Sequence, residues 1–349
     1  MKKTFSLLML ASLTFSAIAQ FNTEKTPLMT QSLAKDNIKN IFAETSGGSI
    51  SVTGVEAGQA KIEVYVRPNN SKENSLSEQE IRDRMAAEYE LTISASNNKL
   101  TAIAKPKDKN MNWKKALNFS FKIFVPRNVS VDLSTSGGGI ALTNLSGKLE
   151  FTTSGGSLNL DEVSGKIKGR TSGGSIDIED SKEDIDLATS GGSIRARKCD
   201  GKLKLETSGG SVTLSDLKGD IKANTSGGSV NGNDVEGDLV TSTSGGSIML
   251  NRMSCNLEAS TSGGNIHVEV KELHKSIELR NSGGHVDIII PSGKGVDLRL
   301  TGDRIKTDKL DNFSGKVEDE EITGKLNGGG TSVTVRGGGG RVYLGFAKN

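Results

Sequence analysis

The chain alternates apolar and polar positions in short runs of period two, and those runs recur at a fixed spacing. Ser-Gly-Gly marks the spacing. It stands at 136, 154, 172, 190, 208, 226, 244, 262 and 282, seven intervals of 18 residues and a last one of 20. With each of these serines as position zero, position 4 is aliphatic throughout, from Ile140, Leu158 and Ile176 to Ile266 and Val286. Position 6 (Leu142, Leu160, Ile178, Leu214, Leu250) and position 13 (Leu149, Ile167, Ile185, Leu203, Ile221) are mostly aliphatic, and position 15 more loosely so (Phe151, Leu187, Leu205). The positions between them are mainly polar or charged. Such alternation reads as strand, so each unit predicts two short strands. One unit cannot bury its own apolar side, but stacked units share a continuous interior. Four inward aliphatics per coil contribute ~6–12 kcal/mol, which chain entropy opposes.

The fold class that follows is all-β: a parallel β-helix, or solenoid, of 18-residue coils. It is expected to be right-handed, because connections between parallel strands overwhelmingly are. The glycine pairs are expected at tight corners, where φ > 0 and close backbone approach suit Gly. A second glycine column at position 11 (Gly147, Gly165, Gly201, Gly219, Gly237) marks the opposite corner. Thr at position 17, from Thr135 to Thr261, predicts a hydroxyl ladder along one edge.

Around this array the chain divides into five segments. Residues 1–19 have a basic start (Lys2, Lys3), an apolar middle and small residues at Ala17 and Ala19, the pattern of a secretory signal cleaved before Gln20. Residues 20–37 are polar and read as a flexible lead-in. Residues 38–134 hold a first coil around Ser46-Gly47-Gly48, then an insertion with one short helix from Ser77, where Ser77 and Glu80 suit a capping box. A hairpin about Asn97-Asn98 follows. Residues 135–290 are the regular repeats, and 291–349 are C-terminal coils ending in a Gly-rich cap. The helix is expected to cover an open strand edge.

Composition narrows the chemistry. A net charge of +2 predicts no bulk attraction to nucleic acid, and no later stretch is apolar enough for a transmembrane helix. Cys199 and Cys255 lie three coils apart, ~14 Å at the inter-strand spacing, too far for a disulfide, so two free thiols are expected. The calcium β-roll needs a recurring Asp after its glycines; here Ser-Ile follows and position 5 varies. His267, His274 and His285 have no cysteine partners for a metal site. No nucleophile triad, phosphate loop or zinc spacing stands out, so no catalytic residue and no cofactor are expected. Trp113 in the insertion reads as packing. The charges on the strand faces read as a solvated surface with cross-coil ion pairs. One locally basic patch, Lys166, Lys168 and Arg170 with Arg195, Arg197 and Lys198, is the candidate contact for an acidic polymer.

Tandem Thr-Ser-Gly-Gly-Ser-Ile units, alternating with apolar-x-Gly-Lys/Asp-Leu/Ile units behind a signal peptide, resemble the bacterial β-strand-repeat family of putative adhesins. They are similar also to the head domains of autotransporter adhesins. The resemblance runs from about Ile38 onward and is best between Thr135 and Ile290. It implies a right-handed β-helix outside the cytoplasm, with no catalytic residues and with a surface, glycan or protein ligand. The leading expectation is thus an exported, non-enzymatic interaction protein of the cell envelope, in the periplasm, at the surface or secreted. A carbohydrate-active β-helix enzyme and a periplasmic envelope-stress sensor are the alternatives.

Overall fold

The computed structural model describes residues 26–69, 76–108 and 116–347. The signal segment and Trp113 lie outside the described residues. The fold is all-β, with a single α-helix, Glu78–Glu88, among the described residues. In the repeats each unit supplies two strands, for example Leu158–Asp161 and Ser164–Thr171. Each strand pairs in parallel with its equivalent in the next unit: Leu158 with Ile176, Leu149 with Ile167, Ile167 with Ile185. Two parallel stacks result, both in register with the 18-residue spacing. Further along, the two strands of a unit fuse into single long ones, Val212–Asn224, Val230–Thr243 and Ile248–Thr261.

The inward columns are those that the alternation predicts, and two more join them. Positions 4, 6, 13 and 15 are buried as single files (Ile176, Ile178, Ile185 and Leu187, each 0–1% exposed). Position 9 is a fifth file: Leu145, Val163, Ser181, Cys199, Leu217, Val235 and Met253 are all buried. It breaks the period-two rule because position 8 has left-handed backbone at Asn144, Glu162, Asp180, Lys198, Asp216, Asp234 and Arg252 (φ +48° to +59°). A left-handed residue turns the chain and shifts the phase of the alternation. Asn and Asp tolerate that conformation better than Glu, Lys or Arg, so it has no strict sequence signature.

Position 17 is the sixth buried file. The threonine ladder is internal, and it joins Thr to Gly rather than Thr to Thr. From Thr153 to Thr261 each hydroxyl donates to the carbonyl of the second glycine one coil earlier (Thr153 to Gly138, Thr207 to Gly192; 2.7–2.8 Å). Each also accepts the N–H of the second glycine in its own coil at 3.2–3.4 Å. Where the period slips, Asn281 substitutes: its amide donates to the Gly264 carbonyl at 2.8 Å and its Oδ1 accepts from Gly284.

The two glycine columns both lack room for a side chain, since a Cβ on Gly165 or Gly219 would fall 2.3 or 2.1 Å from the carbonyl oxygen one coil earlier, but they differ in backbone. At position 11, Gly147, Gly165, Gly201, Gly219 and Gly237 have φ between +104° and +142°, which other residues adopt only at a cost. The Ser-Gly-Gly glycines are not in positive φ, contrary to expectation. Their reason is space. A Cβ built on Gly174 would fall 2.0 Å from the carbonyl oxygen of Gly156, whereas one on Gly173 meets nothing closer than 3.6 Å.

Both ends of the stack depart from the sequence order. The first coil in sequence lies third from the end of one stack and fourth from the end of the other. Strand Asn40–Thr45 lies between Lys99–Pro106 and Ser130–Thr135, and Ile50–Gly54 lies between Leu117–Val125 and Ile140–Thr143. The C-terminal coil is likewise intercalated, Thr331–Gly337 between Ser276–Asn281 and Val296–Thr301, and Arg341–Ala347 between Val286–Pro291 and Arg304–Thr307. The expected Gly-rich cap is therefore an inner layer. The outer layer on one stack is the antiparallel pair Phe313–Val317 and Glu321–Leu326. The expected flexible lead-in also differs: Met29–Ser32 pairs antiparallel with Lys61–Pro68, and Leu33 is buried. The helix carries the capping box at Ser77 and Glu80, and Ile81 and Met85 pack against the N-terminal end of the core.

Two tests follow from the glycine columns. Gly174→Ala is expected to cost about 1–3 kcal/mol through overpacking, while Gly173→Ala leaves the urea midpoint nearly unchanged. Equal effects would remove the spatial account. Glu183 occupies position 11 with φ +84°, so Glu183→Gly is expected to raise stability by about 1 kcal/mol, read as a higher unfolding midpoint.

Candidate functional site: two outward ladders

Each stack presents an outward face, one built from positions 5 and 7 and the other from positions 12, 14 and 16. The six candidate cations divide between them. Lys166, Lys168 and Arg170 lie on strand Ser164–Thr171 of one stack; Arg195 and Arg197 lie on Ile194–Arg197 of the other, with Lys198 at the turn that follows. They do not form one patch. Four of the six are also matched by carboxylates. Arg170 reaches Asp186 at 2.7 Å, Arg195 reaches Asp177 and Arg197 reaches Glu179 at 2.5 Å, and Lys198 lies 3.3 Å from Glu179 and 3.7 Å from Asp180. The parallel register sets these pairs one coil apart, Asp177 against Arg195 and Glu179 against Arg197. Exposed pairs of this kind contribute little stability each; their effect is to fix side chains into a rigid surface.

Titration follows the same neighbours. Partial burial favours protonation of Glu179, but hydrogen bonds from Arg197 and Lys198 outweigh it and hold the carboxyl below its usual range. Asp161 at the adjacent corner goes the other way: burial raises it, and Glu162, Asp180 and Glu179 add repulsion. Lys198 is raised by its bond to Glu179 and by the nearby Asp180 charge.

Beyond these ion pairs, the position 5 and 7 face changes character. Thr213, Asn231 and Met249 stand in register across three strands, beside Ser215, Asn233 and Asn251. Met249 is 50% exposed. This uncharged strip is bounded by Arg197 and Glu179 on one side and by His267 and Glu269 (3.5 Å) on the other. Positions 5 and 7 carry it in the sequence as columns, in the same way as the apolar positions.

Serine at position 3 forms a further ladder. The hydroxyls of Ser193, Ser211, Ser229 and Ser247 accept the backbone N–H one coil on, at 3.1–3.2 Å. The series continues through Asn265 to His285, whose Nδ1 accepts from the Arg341 N–H at 3.0 Å. His285 thereby ties the intercalated C-terminal coil to the repeats. Among the described residues no group of three or more His, Cys, Asp or Glu could hold a metal ion. No helix among them is long and apolar enough to cross a membrane.

Residues 179–342 match the family described as Toastrack DUF4097. Among solved structures, a putative adhesin from Parabacteroides merdae is 12% identical, with 92% of this chain and 96% of that chain covered and a TM-score of 0.39. A putative cell adhesion protein from Clostridium sporogenes is 8% identical over 91% of this chain and 98% of that chain, at a TM-score of 0.22. A putative adhesin from Bacteroides fragilis is 14% identical over 91% and 96%, also at 0.22. No curated protein matches the chain.

The two cysteines are buried and free. Burial pushes the Cys199 thiol up to about 11 and the Cys255 thiol up to about 12. Below the unfolded value near 9, both states hold the proton and pH has no effect through these groups. Above it the unfolded chain releases protons that the folded chain keeps. Stability then falls by ~1.4 kcal/mol per pH unit for each thiol, until the folded values are reached. The Cys199→Ala/Cys255→Ala double variant is expected to show a shallower loss of urea midpoint between about pH 9 and 11. An unchanged slope would count against the burial account.

Proposed function

We propose that the chain is an exported, non-enzymatic β-helical protein that meets its partner along an extended rigid face, as an adhesin or another interaction protein of the cell envelope. The reading includes a right-handed helix of 18-residue coils and removal of the signal before Gln20. The carrying observation is one buried core running from Leu33 to Leu344 beneath outward faces of in-register polar ladders. Such a scaffold holds contact side chains at a repeat of ~4.8 Å with little ordering left to do on binding. The division of the six cations shifts the proposal from a single basic patch to the faces as wholes. On one face the uncharged strip around Asn231 and Asn251 suits a neutral polar surface, such as a glycan or protein. The Toastrack match and the adhesin names of the compared structures agree in kind with this reading.

Protease shaving of intact cells, followed by immunoblotting for the mature chain, tests it. Cleavage while a periplasmic control stays protected is the expected result for an adhesin. Full protection would instead place the protein in the periplasm and remove the adhesive role, leaving an envelope structural or sensing one.

A further inference from the structure

Among the described residues, four strands end the two stacks and keep one edge free. Met29–Ser32 and Tyr89–Ser96 do so at the N-terminal end, Arg304–Thr307 and Phe313–Val317 at the other. Three of them are blunted. Met29–Ser32 and Arg304–Thr307 have four residues each, Phe313–Val317 has five, and the last two carry Arg304, Lys306 and Lys316. Shortness and cations are the ordinary protection of a sheet edge. Tyr89–Ser96 has neither. It keeps unbroken register with Lys99–Pro106 over eight residues, and Glu90 is its one charge. The preceding helix leads away from it, toward the opposite stack, where Arg82 donates to the Leu28 carbonyl at 3.1 Å.

The unpaired groups on that edge follow from the hairpin. Asn97 and Asn98 (φ +50° and +59°) form its two-residue turn, and Lys107 donates its N–H to the Glu88 carbonyl at 2.9 Å. Hydrogen-bonded pairs alternate along an antiparallel ladder, so Glu90, Thr92, Ser94 and Ser96 direct their N–H and C=O at Lys99–Pro106. Those of Leu91, Ile93 and Ala95 point away from it, with no backbone partner among the described residues. The side chains of these same three residues form the inward row of the strand. They are only half-buried, whereas Leu100, Ala102 and Ala104 on the next strand are 0–2% exposed. The core is thus left open beside a free backbone edge.

We propose that this edge pairs with the same edge of a second copy, antiparallel about a two-fold axis at Ile93. The strand is complementary to itself in that register. Ile93 exchanges both hydrogen bonds with Ile93 of the second copy, and Leu91 exchanges its own with Ala95. The inward rows meet, Leu91 against Ala95 and Ile93 against Ile93, and close the core across the axis. On the outward face Thr92 stands opposite Ser94 and Glu90 opposite Ser96, so no like charges oppose each other. The short cationic edges at the other end offer no such match. A two-fold contact closes on itself, so assembly stops at two copies and the unguarded edge is removed. The pairing stands apart from the adhesive reading, because it is read on purified protein whatever the location of the rod.

Sedimentation equilibrium of the mature chain over a concentration series tests it, with a dimer expected. Thr92→Lys/Ser94→Lys changes only exposed positions and sets lysine directly opposite lysine in this register. It is expected to weaken dimerisation at least tenfold while leaving the urea midpoint unchanged. Thr92→Lys/Ser94→Glu sets each lysine opposite a glutamate and is expected to keep the dimer. A monomer at every concentration, growth beyond two copies, or equal dimerisation of the two double variants overturns the proposal.

Discussion

The contact on which this fold depends is backbone against backbone. The second glycine of each Ser-Gly-Gly lies so close to the same glycine one coil earlier that a methyl group does not fit between them. Closeness brings the buried threonine within reach of two peptide groups, the carbonyl of the earlier coil and the N–H of its own. Groups at the corner that would otherwise be buried and unpaired are thereby satisfied. The corner repeats from coil to coil with nearly constant geometry, and the parallel register follows from it. The outward faces inherit that register, so a carboxylate on one coil meets a cation on the next.

The ends obey a different constraint. A solenoid must stop without leaving a long, flat edge to template further strands. Here the outermost layers are short or antiparallel: Met29–Ser32 at one end, Arg304–Thr307 and Phe313–Val317 at the other. The coils nearest each terminus are sandwiched one or more layers in. Asn40–Thr45 has strands on both sides, as does Arg341–Ala347. Neither can fray without opening the stack around it. These pairings join residues far apart in sequence, Asn40 with Ser130 and Ser276 with Ser332, so they carry a larger loop-closure cost than the repeats between them. In this region the chain crosses from Glu321–Leu326, antiparallel on one edge of Val296–Thr301, to Thr331–Gly337, parallel on the other.

The apolar columns at positions 4, 6, 13 and 15 were legible in the sequence because a strand's alternation is a local property of the chain. The fixed spacing then dictated parallel stacking, since each unit needs its neighbours to complete an interior. The helix at Ser77 and the hairpin at Asn97 were legible for the same reason: capping and turn chemistry act over a few residues. Position 9 was not, because its burial depends on left-handed backbone at position 8, which Asn, Asp, Glu, Lys and Arg all adopt here. Nor could spacing tell which glycine column needs a positive φ in addition to the absence of a Cβ.

Candidate chemistry was less legible than the fold. Lys166 and Arg195 are near in sequence, but nearness along the chain does not say which stack a residue faces, and their strands belong to different ones. Asp297, Arg299, Lys325 and Arg336 come from strands whose pairing has no repeat to announce it. What the sequence determined by itself was the unit: two strands, two glycine corners and an apolar inside, all set by local sterics and period. What only the tertiary structure decided was order and neighbourhood, namely which coil lies beside which at the ends and which charges meet. Those are set by long-range pairing, for which the chain carries no local signal.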